Sequence, residues 1–210
     1  MAGLSRIHDD GGFLSRLDRR LVVLERFFAL LSGLAAFSLM ILAVWSVGGR
    51  KFFAAPLAGY VDYIELLMPL IAILGISYVQ REGGHIRMDI VIGRLRGRAL
   101  WAAEFLSVAL MLVLMVLLVW GSWAHFARSF DWSLPLWSRD STIDIGLPIW
   151  PSKLIVPVAF SVLCLRLILQ AWSYGRAFVI GAARPVAVPL VEDAATQALH
   201  EVEHVSGSDD

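Results

Sequence analysis

Ionisable side chains are concentrated in the segment 81–90, REGGHIRMDI, which lies between two apolar stretches. A histidine beside acidic residues is one way to build a metal site or a general base. His85, however, has no second histidine or cysteine nearby at ligand spacing, and Cys164 is the single cysteine of the chain. A single cysteine excludes a CxxC zinc or redox motif. We therefore predict no catalytic, cofactor-binding or metal-binding residue here.

The remaining histidines are also poorly placed for a cofactor. A b-type haem usually needs two axial ligands that face each other within a helix bundle. His125 ends an apolar stretch, whereas His8, His200 and His204 lie in polar terminal segments. The sequence predicts that the protein binds no cofactor and is not an enzyme. A four-helix membrane redox or enzyme subunit is kept as the alternative function.

Two charged residues interrupt stretches that are otherwise apolar. Counted from Arg98, Glu104 lies roughly 9 Å into its helix, and Arg166 lies roughly 15 Å from Arg176. An unpaired charge at such a depth in a bilayer costs about 3 kcal/mol or more. We predict an intramembrane Glu104–Arg166 ion pair. The alternative is that each side chain extends separately to the water boundary.

Two acidic residues, Asp62 and Glu65, stand three positions apart, which places them on one face of a helix near its N-terminal end. The helix dipole favours acids at this position. A helix cap, a contact with a partner, and a proton or sodium site are all compatible with this spacing.

The elements that carry these residues are long and apolar. The chain is 58% hydrophobic and 17% charged, with a mean hydropathy of +0.71, well beyond the composition of a soluble domain. Segments 27–49 and 105–127 each contain 23 residues without a formal charge, enough to cross the roughly 30 Å hydrocarbon core as a helix. Two further apolar stretches, 66–80 and 154–175, are shorter or interrupted by a charge, but they follow at similar intervals along the chain. We predict an all-α integral membrane protein with four transmembrane helices, at about 24–48, 60–80, 99–125 and 153–175.

The distribution of basic residues predicts the orientation of these helices. Of the arginines and lysines outside the spans, 12 lie on one side and 5 on the other, so both termini are predicted to be cytoplasmic. The basic loop after the second span has Met88, Val91, Ile92 and Leu95 on one helical face. This pattern predicts an in-plane amphipathic helix over 86–97; an ordinary basic loop is the alternative.

The predicted domain organisation has three parts. Residues 1–20 form a cytoplasmic tail, 21–176 form the four-helix membrane domain, and 177–210 form an acidic tail that is predicted to be disordered. The largest external piece is the loop 126–152, whose tryptophans suit the membrane boundary. This loop is interpreted as a docking surface, with a solvated, tryptophan-anchored loop as the alternative.

Over residues 21–175 the chain resembles the small membrane subunit (DctQ-type) of tripartite ATP-independent periplasmic (TRAP) transporters. That family typically reads G-x-H-I-R-V-D-L-L after its second helix, and this chain reads GGHIRMDIVIGRL. An acid that opens the second helix and a leucine-proline-x-tryptophan entry into the last helix are also similar. The residues in these motif positions are Glu65, Gly84, His85, Arg87, Asp89, Pro148 and Trp150.

The resemblance implies a division of labour among three proteins. A large membrane subunit moves the substrate and couples it to sodium, and a periplasmic binding protein captures the substrate, usually an organic acid. This chain is then the small permease subunit, which scaffolds the large subunit and helps the binding protein to dock. Its partners are these two proteins and the lipid bilayer of the bacterial inner membrane. Nucleic acid is not expected, because 18 basic and 18 acidic residues cancel.

Overall fold

The computed structural model describes residues 12–55, 57–82, 98–180 and 188. Within them the chain is helical, apart from loops, a short 3₁₀ turn at Pro135–Trp137 and two isolated β-bridges. The α-helices are α1 (Phe13–Phe53), α2 (Tyr60–Ile73), α3 (Ile76–Arg81), α4 (Arg98–Ser129) and α5 (Trp150–Ile180). Counting α2 and α3 as one span, four helices are long and apolar enough to cross a membrane. The predicted four-span, all-α architecture is therefore confirmed.

The last helix, α5, is the centre of the bundle. Half of the residues in the most apolar 18-residue segment of α5 are buried, compared with 6% in α1 and 11% in α4. Leu163 and Leu167 are fully buried on α5 and pack in one cluster with Trp101 and Val108 of α4. The broad outer surfaces of α1 and α4 therefore remain apolar and exposed, as expected of helices that face lipid or another membrane protein.

The second span is interrupted between α2 and α3. Pro69 lies inside α2 and has no backbone N–H, which weakens the helix ladder. One turn before the break, the Ser32 hydroxyl of α1 donates a 2.9 Å hydrogen bond to the carbonyl of Ile71. A hydroxyl from a neighbouring helix is one of the ways in which a broken membrane helix satisfies its backbone. Gly75 lies in the break, where a Cβ would be 4.0 Å from the Ser32 hydroxyl.

The described helices extend beyond the predicted spans. α1 has 41 residues, which makes it about 60 Å long, and its first residue, Phe13, lies inside the predicted N-terminal tail. α5 ends at Ile180, inside the predicted C-terminal tail, and Val188 is fully buried in the same cluster as Trp101 and Tyr174. The predicted amphipathic helix over 86–97 and the rest of both tails lie outside the described residues.

The start of α1, the end of α3 and the last turns of α5 meet at one end of the bundle, here called the charged end. The rings of Phe13 and Trp172 lie 6.3 Å apart, and an Arg81 nitrogen lies 3.1 Å from a carboxylate oxygen of Asp18. The loop between α4 and α5 lies at the opposite end, here called the loop end. The four spans therefore alternate in direction.

Candidate functional site

A buried arginine on α5 is the centre of the polar structure at the charged end. The Arg166 side chain is fully buried, and its three nitrogens all donate to carboxylates of α1. Nε and Nη2 contact the two oxygens of Glu25 at 2.7 and 2.5 Å, and Nη1 contacts Asp18 at 2.5 Å. The Glu25 contact has the two-pronged geometry that makes an arginine–carboxylate pair both strong and directional.

Further side chains from the second span complete this network. Arg81 contacts the other oxygen of Asp18 at 3.1 Å, and the Ser77 hydroxyl donates to Glu25 at 2.6 Å. We call Asp18, Glu25, Arg81 and Arg166 the ion cluster. The two carboxylates and two guanidinium groups of the cluster cancel in formal charge, which favours their burial. Arg81 also contacts Glu82, whose side chain is 22% exposed, at 3.1 Å. Because its members come from α1, α3 and α5, it joins three spans.

A pair of amides lies next to the ion cluster. Gln80 is one residue before Arg81, and its Nε2 donates to Oε1 of Gln170 at 2.8 Å. Gln170 lies one turn after Arg166 on α5 and donates to the backbone carbonyl of Gln80 at 3.4 Å. Both side chains are buried. These bonds pair the amide nitrogens of both residues and Oε1 of Gln170, whereas Oε1 of Gln80 has no hydrogen-bond partner among the described residues. The amide pair gives α3 a second polar contact with α5.

The predicted Glu104–Arg166 pair is not among the contacts of Arg166 in the described part of the chain. The carboxylates that Arg166 contacts belong to Asp18 and Glu25 of α1. Glu104 is also buried, at 3% exposure. Arg166 is buried and paired, but its carboxylate partners come from α1, because α1 continues as a helix toward the charged end and brings Asp18 and Glu25 to α5.

At the loop end, Asp62 holds the loop between α4 and α5. Its carboxylate accepts hydrogen bonds from the backbone N–H groups of Ile145, at 2.8 Å, and Asp144, at 3.4 Å. The side chain is 2% exposed. Gly59, just before α2, has a φ of +71°, and a Cβ there would come within 2.6 Å of the Ile145 side chain. A glycine is therefore needed both for the backbone conformation and for the close approach of the loop.

Two ion pairs order the same loop. Asp131 accepts bonds from the backbone and hydroxyl of Ser133 and a 2.9 Å bond from Arg139, which together lower the pKa of its carboxyl to about 2. Asp140 contacts Lys153 at 2.6 Å and Ser129 at 2.5 Å. These two contacts lower the pKa of the Asp140 carboxyl. The loop is thus tied to the ends of both flanking helices.

Aromatic rings of this loop contact one another and the first residue of α5. Phe130 contacts the rings of Trp132 and Trp150 edge-on, and Trp137 lies 5.6 Å from Trp132. The indole N–H of Trp150, the first residue of α5, donates to the carbonyl of Leu136 at 2.9 Å. Pro148, also a motif position, lies in an isolated bridge with Ser141. The proline–tryptophan motif therefore positions the loop at the entry to the last helix.

The other motif positions are less constrained by described contacts. Glu65 is exposed on α2 and does not share the loop contact of Asp62. The two acids that the sequence placed on one helix face therefore have different environments. Gly84, His85, Arg87 and Asp89 lie outside the described residues.

The sequence prediction missed Asp18 and Glu25 as members of the buried cluster. The sequence places Asp18 in the predicted cytoplasmic N-terminal tail, among basic neighbours. A usable signal was present, because Asp18 and Glu25 are seven residues apart and therefore lie on one face of a continuous helix. The arginines at positions 16, 19, 20 and 26 are exposed, away from that face.

The family-level comparison gives a match over most of the chain. A model of the family described as "Tripartite ATP-independent periplasmic transporters, DctQ component" matches residues 39–176. The matched region includes Asp62, the loop and Arg166, and it begins after Asp18 and Glu25. No curated protein matches the chain.

Proposed function

The chain belongs to the DctQ component family of tripartite ATP-independent periplasmic transporters, and we propose that, as the small permease subunit, it scaffolds the large transport subunit of its complex. The family is a transporter component and not an enzyme class. The protein is a multi-pass membrane protein with four apolar spans.

The observation that carries this proposal is the exposed surface of α1. Large apolar residues recur along it at alternating intervals of four and three, which places them on one helix face. We call this face the α1 stripe: Val23, Phe27, Leu30, Leu34, Phe37, Ile41 and Val44, each between 49% and 70% exposed. A repeat of this kind suits packing against a second helix.

The rest of the structure supports a bracing role for that face. On its inner side, α1 is joined to α5 through Arg166 and to α2 through Ser32. Small residues such as Ala35 are buried there, which permits close helix approach. A helix fixed on one side and apolar on the other can present a rigid surface to a larger membrane protein.

Copurification with the large subunit tests this proposal. Truncating Leu34 and Ile41 to alanine together should weaken recovery of the large subunit more than about tenfold, if each side chain in the contact contributes at least about 1 kcal/mol. The matched control is Leu110→Ala with Leu117→Ala, which shortens two similarly exposed side chains, also seven residues apart, on α4. Equal loss in both pairs, or loss in the α4 pair alone, would contradict the assignment to α1.

We further propose that the loop between α4 and α5 docks the periplasmic substrate-binding protein. The loop is held by Asp62 and by its own ion pairs, yet it leaves apolar side chains exposed: Ile143 at 94%, Trp132 at 75% and Leu136 at 66%. An ordered loop with exposed apolar groups loses little entropy on binding. On this proposal, the complex carries out sodium-coupled uptake of an organic acid, and the loop end is periplasmic.

The affinity of the membrane complex for its purified binding protein tests the docking proposal. Ile143→Ser removes an exposed apolar contact without touching the residues that hold the loop, and it should weaken binding and uptake. Phe53→Ser is the matched control, because Phe53 is 82% exposed at the same end of the bundle. Unchanged binding by the Ile143 variant, or equal weakening by both variants, would count against docking through this loop.

The arrangement of the spans also supports the proposed orientation in the bacterial inner membrane. The first residues of α1 and the last turns of α5 lie at the charged end, where most basic residues are found. The proposal that this end is cytoplasmic follows the preference of lysine and arginine for that side. A reporter fused at Asp210 and another placed in the 138–146 loop should report opposite compartments.

A further inference from the structure

An apolar groove runs between α4 and α5 at the charged end. Its volume is about 440 Å³, and its walls come from Phe105 of α4 and a stripe of α5 that includes Trp172, Gly175 and Val179. That volume lies within the range of roughly 300–1,000 Å³ found for small-molecule sites. Phe105 and Trp172 are largely exposed along it, and neither belongs to the ion cluster.

Gly175 keeps this groove open. A Cβ at Gly175 would lie 3.6 Å from the Phe105 ring, an ordinary packing distance. A larger side chain there would project into the space beside the ring. Glycine lowers helix stability relative to alanine in a helix interior, so its presence on this face gives the groove depth at a small cost in helix propensity.

Two arginines flank the groove from different helices. Arg176 of α5 lines it directly and is exposed. Arg98 is the first residue of α4 and lies seven residues before Phe105, so the two residues share one face of the helix. Since Phe105 is level with Gly175, Arg98 is about 10 Å further toward the end of the bundle. The described lining residues include no acid.

We propose that this groove binds an anionic phospholipid of the leaflet at the charged end. An acyl chain lies along Phe105, Gly175 and Trp172, and the phosphate group interacts with Arg98 and Arg176. Charge complementarity favours this occupant, because two cations border an apolar wall in a protein that spans the bilayer. Basic groups near a membrane surface attract anionic headgroups, and the proposal does not depend on which subunit α1 or the loop contacts.

Native mass spectrometry of the full chain tests the proposal with two lipids of matched acyl chains, phosphatidylglycerol and phosphatidylcholine. The wild-type chain should retain phosphatidylglycerol in preference to phosphatidylcholine. Arg98→Gln and Arg176→Gln should each weaken phosphatidylglycerol binding about fivefold. The matched control is Arg128→Gln, which removes an exposed arginine at the other end of α4.

A second pair of variants tests the groove itself. Gly175→Leu should weaken phosphatidylglycerol binding about tenfold, comparable to losing the burial of two methylene groups. Gly121→Leu is its control, because a Cβ at Gly121 meets nothing within 4 Å. Circular dichroism checks that each variant remains helical; if Gly175→Leu does not fold, the arginine variants still decide the question.

Three results would overturn the proposal. Equal retention of the two lipids would remove the role of the headgroup charge, and equal losses in the test and control variants would remove the groove. The third result is a chain that retains no lipid and forms a dimer, with Gly175→Leu dissociating that dimer. The occupant of the groove would then be a second copy of this chain and not a lipid.

Discussion

Removing the Arg166 cation gives the most demanding test of the ion cluster. Arg166→Met keeps a long apolar side chain but deletes the donors to Glu25 and Asp18. Arg81 still contacts Asp18, so the cluster is left with one uncompensated negative charge at Glu25. Breaking a buried pair by removing one partner costs about 3–5 kcal/mol. We expect the free energy of unfolding to fall by that amount.

Two comparisons separate charge balance from the loss of any ion pair. Arg139→Met also removes an arginine–carboxylate contact, but Arg139 is 58% exposed, so its loss should cost no more than about 1 kcal/mol. The double variant Glu25→Leu with Arg166→Met restores neutrality, because the Asp18–Arg81 pair remains. It should therefore recover most of the stability that the single arginine variant loses.

The assay is reversible unfolding of the purified chain by sodium dodecyl sulfate in mixed micelles, followed by tryptophan fluorescence. A double-mutant cycle between Arg166 and Glu25 should give a coupling energy of about 3 kcal/mol or more, larger than the corresponding cycle between Arg166 and Glu104. If Arg166→Met were no more destabilising than Arg139→Met, or if coupling to Glu104 were the larger, the reasoning about the cluster would be refuted.

Three further predictions concern the break in the second span and the loop. Ser32→Ala should destabilise the chain by about 1 kcal/mol in the same assay, whereas Ser38→Ala, which removes a bond within its own helix, should have a smaller effect. Gly59→Ala should cost at least about 1 kcal/mol because of its positive φ, and Gly121→Ala should be neutral or stabilising. The pKa of Asp131 falls from 3.8 to about 2 on folding. Its contribution to loop stability is therefore present above pH 3.8 and is lost as the pH falls toward 2. Tryptophan fluorescence should show this acid transition, and Asp131→Asn should remove it.

The four spans and the class of the protein follow from sequence because they depend on local composition. Segments such as 27–49 and 105–127 are long enough and apolar enough to cross a bilayer whatever they pack against. The likeness to the family was also readable from short ordered motifs, and the family match over 39–176 confirms it. The entry motif at Pro148 and Trp150 coincides with the start of α5.

The partners of the buried charges could not be read in the same way. Arg166 was recognisable as a charge that needs a carboxylate, but the choice between Glu104 and the acids of α1 depends on which helices touch α5 and at what height. Asp18 and Glu25 are 148 and 141 residues away from Arg166 in the chain. The capture of Asp144 and Ile145 by Asp62 is equally remote in sequence.

Four helices able to cross a membrane and a place among the small subunits of a transporter can thus be read from the chain, because hydropathy and local motifs are properties of contiguous segments. Which charges neutralise one another, which face of α1 stays exposed, and how the loop is held become visible only once the helices are packed together. Those features depend on helix register and on contacts between distant residues, and a buried charge can be satisfied by any partner that the fold brings within hydrogen-bonding distance.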